Sequence, residues 1–379
     1  MNRPVLWIAR LAALALTVQG AAVQAGTIVI ANRTAAKITF QYADADAKPQ
    51  TMSLAGGELC SLVNKHGATV SFSGADGPQD LPVNTNSAYC FVDPQGKLGF
   101  REIGLSAANN EPTPAAPPAK TREKDLFPVV PDPPPKPEVK PAAEQQKKIL
   151  TIPVKILVDD DEQATPHAWK GRLSRRLQAA NEIFEKQCRA RFEIVAYEEW
   201  VTDNHINDFG KTLTEFEQNV KPEPARLAIG FTSQYEVPKG AFHLGGTRGP
   251  LHSHILVREW SKQINEPERL EVLLHELGHF LGAVHSPAPD SVMRSILGDR
   301  IARVKEFRIT FDPVNVLAMS LVSEDMRARD VHSFGELSAA TQLRLNDIYA
   351  AMGAALPRDP TPDQYRKTLR AAQAGNPPR

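Results

Sequence analysis

Eleven prolines fall between Pro112 and Pro141, three of them in the run Pro133-Pro134-Pro135. Proline fixes φ and has no amide hydrogen to donate, so such a stretch can neither continue a helix nor sit inside a sheet. It stays extended and buries no core. A chain of 379 residues divided in this way has to fold on either side of the divide. Residues 107–147 therefore read as a semi-rigid linker. Fully extended, it would separate the flanking parts by on the order of 100 Å, at about 3 Å per residue.

Upstream, residues 26–106 read as a small all-β module. Thr27–Ile30 is β-branched, and Ile38–Tyr42, Ala68–Phe72 and Ala88–Val92 carry strand patterning. Gly56-Gly57, Gly74 and Asp93-Pro94 punctuate them. Nothing in the module carries recognisable chemistry. Its expected role is to bind a surface or partner, and chaperoning or inhibiting the rest of the chain stays open. Residues 1–25 read as a signal peptide: Arg3 and Arg10, the apolar run Leu11–Val18, then Val23-Gln24-Ala25 as a cleavage pattern. The expectation is an exported protein, secreted or periplasmic, with no stable membrane insertion. Export permits disulfides, and Cys60 with Cys90 is the natural pair, leaving Cys188 as a buried thiol. Two separate buried thiols are the alternative. Lys plus Arg equals Asp plus Glu, at 44 each. There is thus no overall basic field to hold nucleic acid or an anionic membrane.

Downstream, residues 148–355 alternate strand and helix. Ile149–Val158, Arg191–Tyr197, Ala225–Phe231 and His254–Val257 read as strands. A helix starts at Thr165-Pro166, and Trp169, Leu173, Leu177, Ala180 and Phe184 line one face of it. Arg172, Arg175 and Arg176 then read as its solvated face. A second helix begins at Asn265–Pro267, and another is expected over Pro313–Met326. Residues 356–379 read as a flexible tail.

The second helix carries the chemistry, in the stretch HELGHFLGAVHS at 275–286. His275 and His279 are four apart, so both imidazoles leave one face about one turn from each other. Two ligands sharing a zinc ion need that geometry. Glu276 lies beside the first ligand, placed to take a proton from a metal-activated water. Gly282 ends the helix in a sharp turn that brings His285 back as a third ligand. Three protein ligands leave a fourth position open, the mark of a catalytic zinc. Zinc there would lower the pKa of water towards about 7 and polarise a carbonyl, with Glu276 as general base and then general acid. The plain alternative is a buried helix whose histidines are satisfied by hydrogen bonds.

The stretch His275–Ser286 resembles the metzincin metallopeptidases, and the serine after the third histidine resembles the matrixins, the matrix-metalloproteinase-like group. Met293, in Pro289-Asp290-Ser291-Val292-Met293, is similar to the methionine of the family's Met-turn. Residues 337–350 resemble the terminal helix of matrixin catalytic domains, and His254 and Trp260 stand where matrixins carry a comparable pair. The resemblance implies an α/β (α+β) metzincin-like catalytic domain with a twisted mixed sheet and an active-site helix. It implies one catalytic Zn2+ held by His275, His279 and His285, a protein or peptide substrate, and support from Met293 and Gly282. This sequence also departs from the pattern. Arg294-Ser295 replaces the usual tyrosine and proline, Ile255–Val257 replaces a calcium-binding acidic run, and no cysteine switch precedes the domain. The segment from Met293 to Leu337, which in the family walls the pocket after the cut bond, is expanded.

Two further groups need weighing. His243, His252 and His254 could hold a second, structural zinc, or be histidines on an edge strand. His332 could stabilise a transition state from a loop, or sit on a solvated surface. The reading is an exported zinc-dependent endopeptidase. Its alternative is an exported binding or adhesion protein with a zinc-bound peptidase domain that is inactive or restricted to a single substrate.

Overall fold

The computed structural model describes residues 26–44, 48–64, 66–104, 149–206, 208–233, 244–259, 265–304 and 308–373. The expected signal peptide, the whole proline-rich linker, His243 and Trp260 lie outside these residues.

The N-terminal region is all β. Its strands are β1 (Gly26–Asn32), β2 (Ile38–Asp44), β3 (Gln50–Leu54), β4 (Leu59–Asn64), β5 (Ala68–Gly74), β6 (Gly77–Val83), β7 (Ser87–Val92) and β8 (Gly99–Glu102). They form two four-stranded sheets, ordered β4-β1-β7-β8 and β3-β2-β5-β6. Ile38, Phe40 and Tyr42 alternate inward along β2, and Ala68, Val70 and Phe72 do the same along β5. They meet Ile28, Ile30 and Phe91 of the other sheet in one core.

Every residue of β1 is buried. One face fills the core of the module. The other face, Val29 and Ala31, joins Leu59, Ala88 and Cys90 against the core of the C-terminal domain. The expected cysteine pair fails for the same geometric reason. Cys60 sits opposite Ile30 across one ladder, and Cys90 sits opposite Ala31 across the other. Ile30 and Ala31 are neighbours in one strand, so the two thiols point to opposite faces of the sheet. All three cysteines are free.

The C-terminal domain begins with β9 (Leu150–Asp159), α1 (Pro166–Cys188), β10 (Ala190–Trp200), α2 (Phe209–Asn219), β11 (Leu227–Thr232), β12 (Gly245–Thr247) and β13 (His254–Arg258). Its five strands form a mixed sheet in the order β10-β9-β11-β13-β12. The first four run parallel and β12 is the antiparallel edge. Helix α1 lays Trp169, Leu173, Leu177, Ala180 and Phe184 into the core, as its spacing predicts. The reading of its arginines as a solvated face is wrong for Arg176, which is 4% exposed. Arg176 is bound by Glu259 and by Glu266, the latter at 2.8 Å. This network ties α1 to the start of α3 (Glu266–Phe280), whose first turn is closed by a capping box between Asn265 and Glu268.

The chain ends in α4 (Pro313–Ala328), α5 (Ala339–Ala355) and α6 (Thr361–Gln373). Helix α6 replaces the flexible tail expected from Leu356 onward. Tyr365 and Leu369 are buried in the same core as Tyr349 of α5 and Phe334. Residues 311–323 are buried throughout, so α4 is covered on all sides of its first turns. The core of the C-terminal domain covers part of α4 and the module covers the rest. Ser61 Oγ lies 3.3 Å from Ser320 Oγ, and Arg344 Nε donates to the Asn86 carbonyl at 2.7 Å. The module is thus docked on the C-terminal domain rather than held away from it by an extended linker. No helix among the described residues is long and apolar enough to cross a membrane.

Candidate metal centre

Helix α3 carries His275, Glu276 and His279 in its last turns, all nearly buried. The chain then reverses at Gly282, whose φ of +89° is a conformation that side-chain-bearing residues rarely adopt. A Cβ there would also lie 3.1 Å from both the Tyr349 hydroxyl and a Val322 methyl. The Tyr349 hydroxyl donates to the Gly282 carbonyl at 2.7 Å and holds the turn. Beyond it, the Asn315 side chain of α4 clamps both backbone groups of Val284, accepting at 2.9 Å and donating at 2.8 Å. These contacts deliver His285 to the other two histidines.

One ligand atom from each of His275, His279 and His285 lies within 4.8 Å of the others. The ring centroids stand 4.6, 5.1 and 5.2 Å apart. Each Nδ1 faces an acceptor. His275 Nδ1 lies 2.8 Å from the Val292 carbonyl, His279 Nδ1 lies 2.9 Å from the Ala283 carbonyl, and His285 Nδ1 lies 2.8 Å from Asp359 Oδ2. A ring that donates from Nδ1 keeps its lone pair on Nε2. His275 Nε2 and His279 Nε2 are 3.0 Å apart with neither free to donate to the other. Converging lone pairs repel unless a cation lies between them, so the donor set fits a zinc ion by its own chemistry.

The electrostatics agree. Burial holds His275 well below the usual histidine range, and the neighbouring His279 and His285 add to this. His279 is lowered to about 4, first by burial and then by His285. Both rings are therefore neutral, the form that binds a metal. Burial alone pushes Glu276 up to about 8.

Two glycines make room for these groups. A Cβ on Gly278 would lie 2.8 Å from Met293 Sδ and from Phe311, so Met293 packs directly beneath the histidine helix. A Cβ on Gly245, in edge strand β12, would lie 2.7 Å from Glu276. Arg294, where the Met-turn pattern has tyrosine, is bound by the fully buried Glu271 and by Asp299. A cleft of about 530 Å³ opens beside His285, lined by Ser295, Leu356, Pro357, Asp359 and Pro360 among others.

The remaining histidines do not join this group. His254 is buried with Nε2 on the Val220 carbonyl at 2.9 Å and Nδ1 by Ser253 Oγ at 3.0 Å, so its ring nitrogens are taken. His252 lies 3.7 Å from Glu217, and His243 is outside the described residues. His332 packs against Arg226 at 3.1 Å and Asp330 at 2.9 Å on the surface, apart from the triad. Conversely, Asn315, Gly245, Asp359 and Tyr365 serve the site and carried no sequence signal of doing so. Their partners lie from 31 to 86 positions away along the chain.

Comparison with known proteins adds a family resemblance over part of the chain. The matrixin peptidase family matches residues 174–319. No curated protein sequence matches the chain significantly. Among solved structures, a chain of a chaperone–substrate complex is 12% identical, covering 80% of this chain and 47% of its own length, with a TM-score of 0.33. The present chain thus spans about half the length of that structure. Archaemetzincin from Methanopyrus kandleri is 16% identical over 48% of this chain and 95% of its own, with a TM-score of 0.29. A zinc-dependent peptidase from Methanocorpusculum labreanum is 14% identical over 44% and 99%, with a TM-score of 0.31. The family match, rather than these loose superpositions, bears on the site: residues 174–319, which include all three histidines, are similar to the matrixin peptidases.

Proposed function

We propose that this protein is an exported zinc-dependent endopeptidase in which His275, His279 and His285 hold the metal and Glu276 is the general base. The convergence of one ring nitrogen from each of three histidines within 4.8 Å, beside a buried carboxylate, carries the reading. Zinc bound there would supply a Lewis acid that polarises the scissile carbonyl and makes water a nucleophile near neutral pH. Glu276 takes the proton of the attacking water and returns it to the departing amine. Its burial suits this role, because a carboxylate with a raised pKa holds a transferred proton better than a solvated one. Nδ1 contacts to Val292, Ala283 and Asp359 fix the rings so that all three lone pairs face one point. Edge strand β12 runs beside Glu276 and offers an extended substrate a backbone to pair with.

The test pairs metal content with activity. Residues 26–379 and the Glu276→Ala variant are assayed for zinc per chain and for cleavage of mixed unfolded protein, with and without a chelator. One zinc in each, with chelator-sensitive cleavage by the intact protein alone, is the expected outcome. Absence of zinc from both would overturn the proposal. Secretion of the full chain, with loss of residues 1–25, tests the export reading.

A further inference from the structure

We propose that Asp359, outside the matrixin-matching region, is a positioning residue that sets the orientation and basicity of the third ligand, His285, so that the C-terminal segment is a working part of the metal site. This inference rests on the zinc reading above.

His275 and His279 stand on a helix, and their Nδ1 groups meet carbonyls of the motif's own neighbourhood, Val292 and Ala283. His285 stands past the glycine turn, where no helix fixes its side chain. Its Nδ1 partner is a carboxylate, 74 positions further on and 40 residues beyond the last family-matched position. A charged acceptor binds Nδ1–H more strongly than a neutral carbonyl does and pushes electron density towards Nε2.

Asp359 is itself held. Its Oδ1 accepts the Thr361 amide at 3.0 Å, and its own amide donates to the Leu356 carbonyl at 3.0 Å. Its side chain is 9% exposed. Helix α6 then anchors the segment through Tyr365 and Leu369. The Tyr365 hydroxyl lies 3.2 Å from His279 Nδ1. Two of the three candidate ligands therefore touch residues 359–365.

The test measures zinc affinity by competition with a chromophoric chelator, for the intact protein and for Asp359→Asn, Asp359→Ala and Asp363→Asn. Asp363, four residues on in the first turn of α6, is an exposed carboxylate and reports any unspecific effect of charge. The expected result is about a 10–100-fold weaker zinc affinity for Asp359→Ala, with a smaller loss for Asp359→Asn. Asp363→Asn should bind as the intact protein does. The cobalt-substituted Asp359 variants should show a shifted visible spectrum, which a merely structural role would not produce. Unfolding of the metal-free variants separates ligand positioning from lost stability. Zinc binding by the intact protein with unchanged affinity and cobalt spectrum in Asp359→Ala would overturn this inference alone. Failure of the intact protein to bind zinc would sink the functional reading with it.

Discussion

Glu276 offers a test of the site that needs no substrate. Burial raises its carboxyl from 4.5 to about 8 in the metal-free protein. Between those values the folded chain holds a proton that the unfolded chain has released. The folded state binds more protons there, so stability falls as pH rises through the window. A shift of this size, at about 1.4 kcal/mol per pH unit, amounts to roughly 4–5 kcal/mol once pH exceeds 8. Glu276→Gln keeps the shape and removes the titration. The two depressed histidines work in the opposite direction: their contribution is present above about 6.5 and is lost as pH falls below it. They are common to both proteins and cancel in the comparison. Urea unfolding with a chelator at pH 5, 7 and 9 should therefore show the pair close at pH 5. At pH 9 the variant should be the more stable by several kcal/mol. Zinc should narrow the gap at pH 9, because a nearby cation favours the ionised carboxylate. Equal stabilities at pH 9 without metal would mean that Glu276 ionises freely, and the argument from burial would fail.

Two shorter predictions concern the scaffold. Gly278→Ala would press a methyl group into Met293 and Phe311, each 2.8 Å from the new atom. It should cost about 1–3 kcal/mol in a urea titration, and an unchanged midpoint would show that the floor of the site can yield. Ala31→Asp places an unpaired charge in the core shared by the module and the C-terminal domain. It should cost about 3 kcal/mol or more and split one unfolding transition into two; a single unchanged transition would mean the two parts do not share a core.

What was legible in the sequence follows periodicity and short range. Helix α1 announces itself by spacings of three and four, and the capping residues of α3 adjoin it in the sequence. The ligand set was legible for the same reason: a helical repeat places His275 and His279, and one glycine returns His285 within ten residues of the first. The docking of the module was not legible as such, yet its signs were present. Strand β1 is apolar at consecutive positions, and the first turns of α4 are mostly apolar. Each pattern demands a second buried face, but neither names its partner. Arg176 misled because a charge on a helix is ordinarily solvated, and the carboxylates that bury it lie 83 and 90 positions away. The C-terminal segment was the largest loss. Its helix is polar apart from Tyr365 and Leu369, and spacing gives no hint that Asp359 will meet a histidine.

The candidate metal centre combines two arrangements that are unfavourable alone, and both point in one direction. Buried arginines elsewhere have carboxylate partners, as Arg294 has in Glu271 and Arg176 in Glu259. Here a carboxylate is buried deeply enough to hold its proton to about pH 8. Beside it, three imidazoles aligned by their Nδ1 contacts turn electron pairs towards one another. Neither arrangement is favourable alone: one lacks a positive neighbour, and the other is self-repelling. A single divalent cation at the point of convergence relieves both at once, by binding the lone pairs and by stabilising the ionised carboxylate. Local conflict of this kind, inside a core that is otherwise consistent, is what a fold tolerates at a working site. Tyr349 on Gly282, Asn315 on Val284 and Asp359 on His285 hold that conflict in place. They come from α4, α5 and the segment before α6, so the helices that follow the motif are what make it rigid.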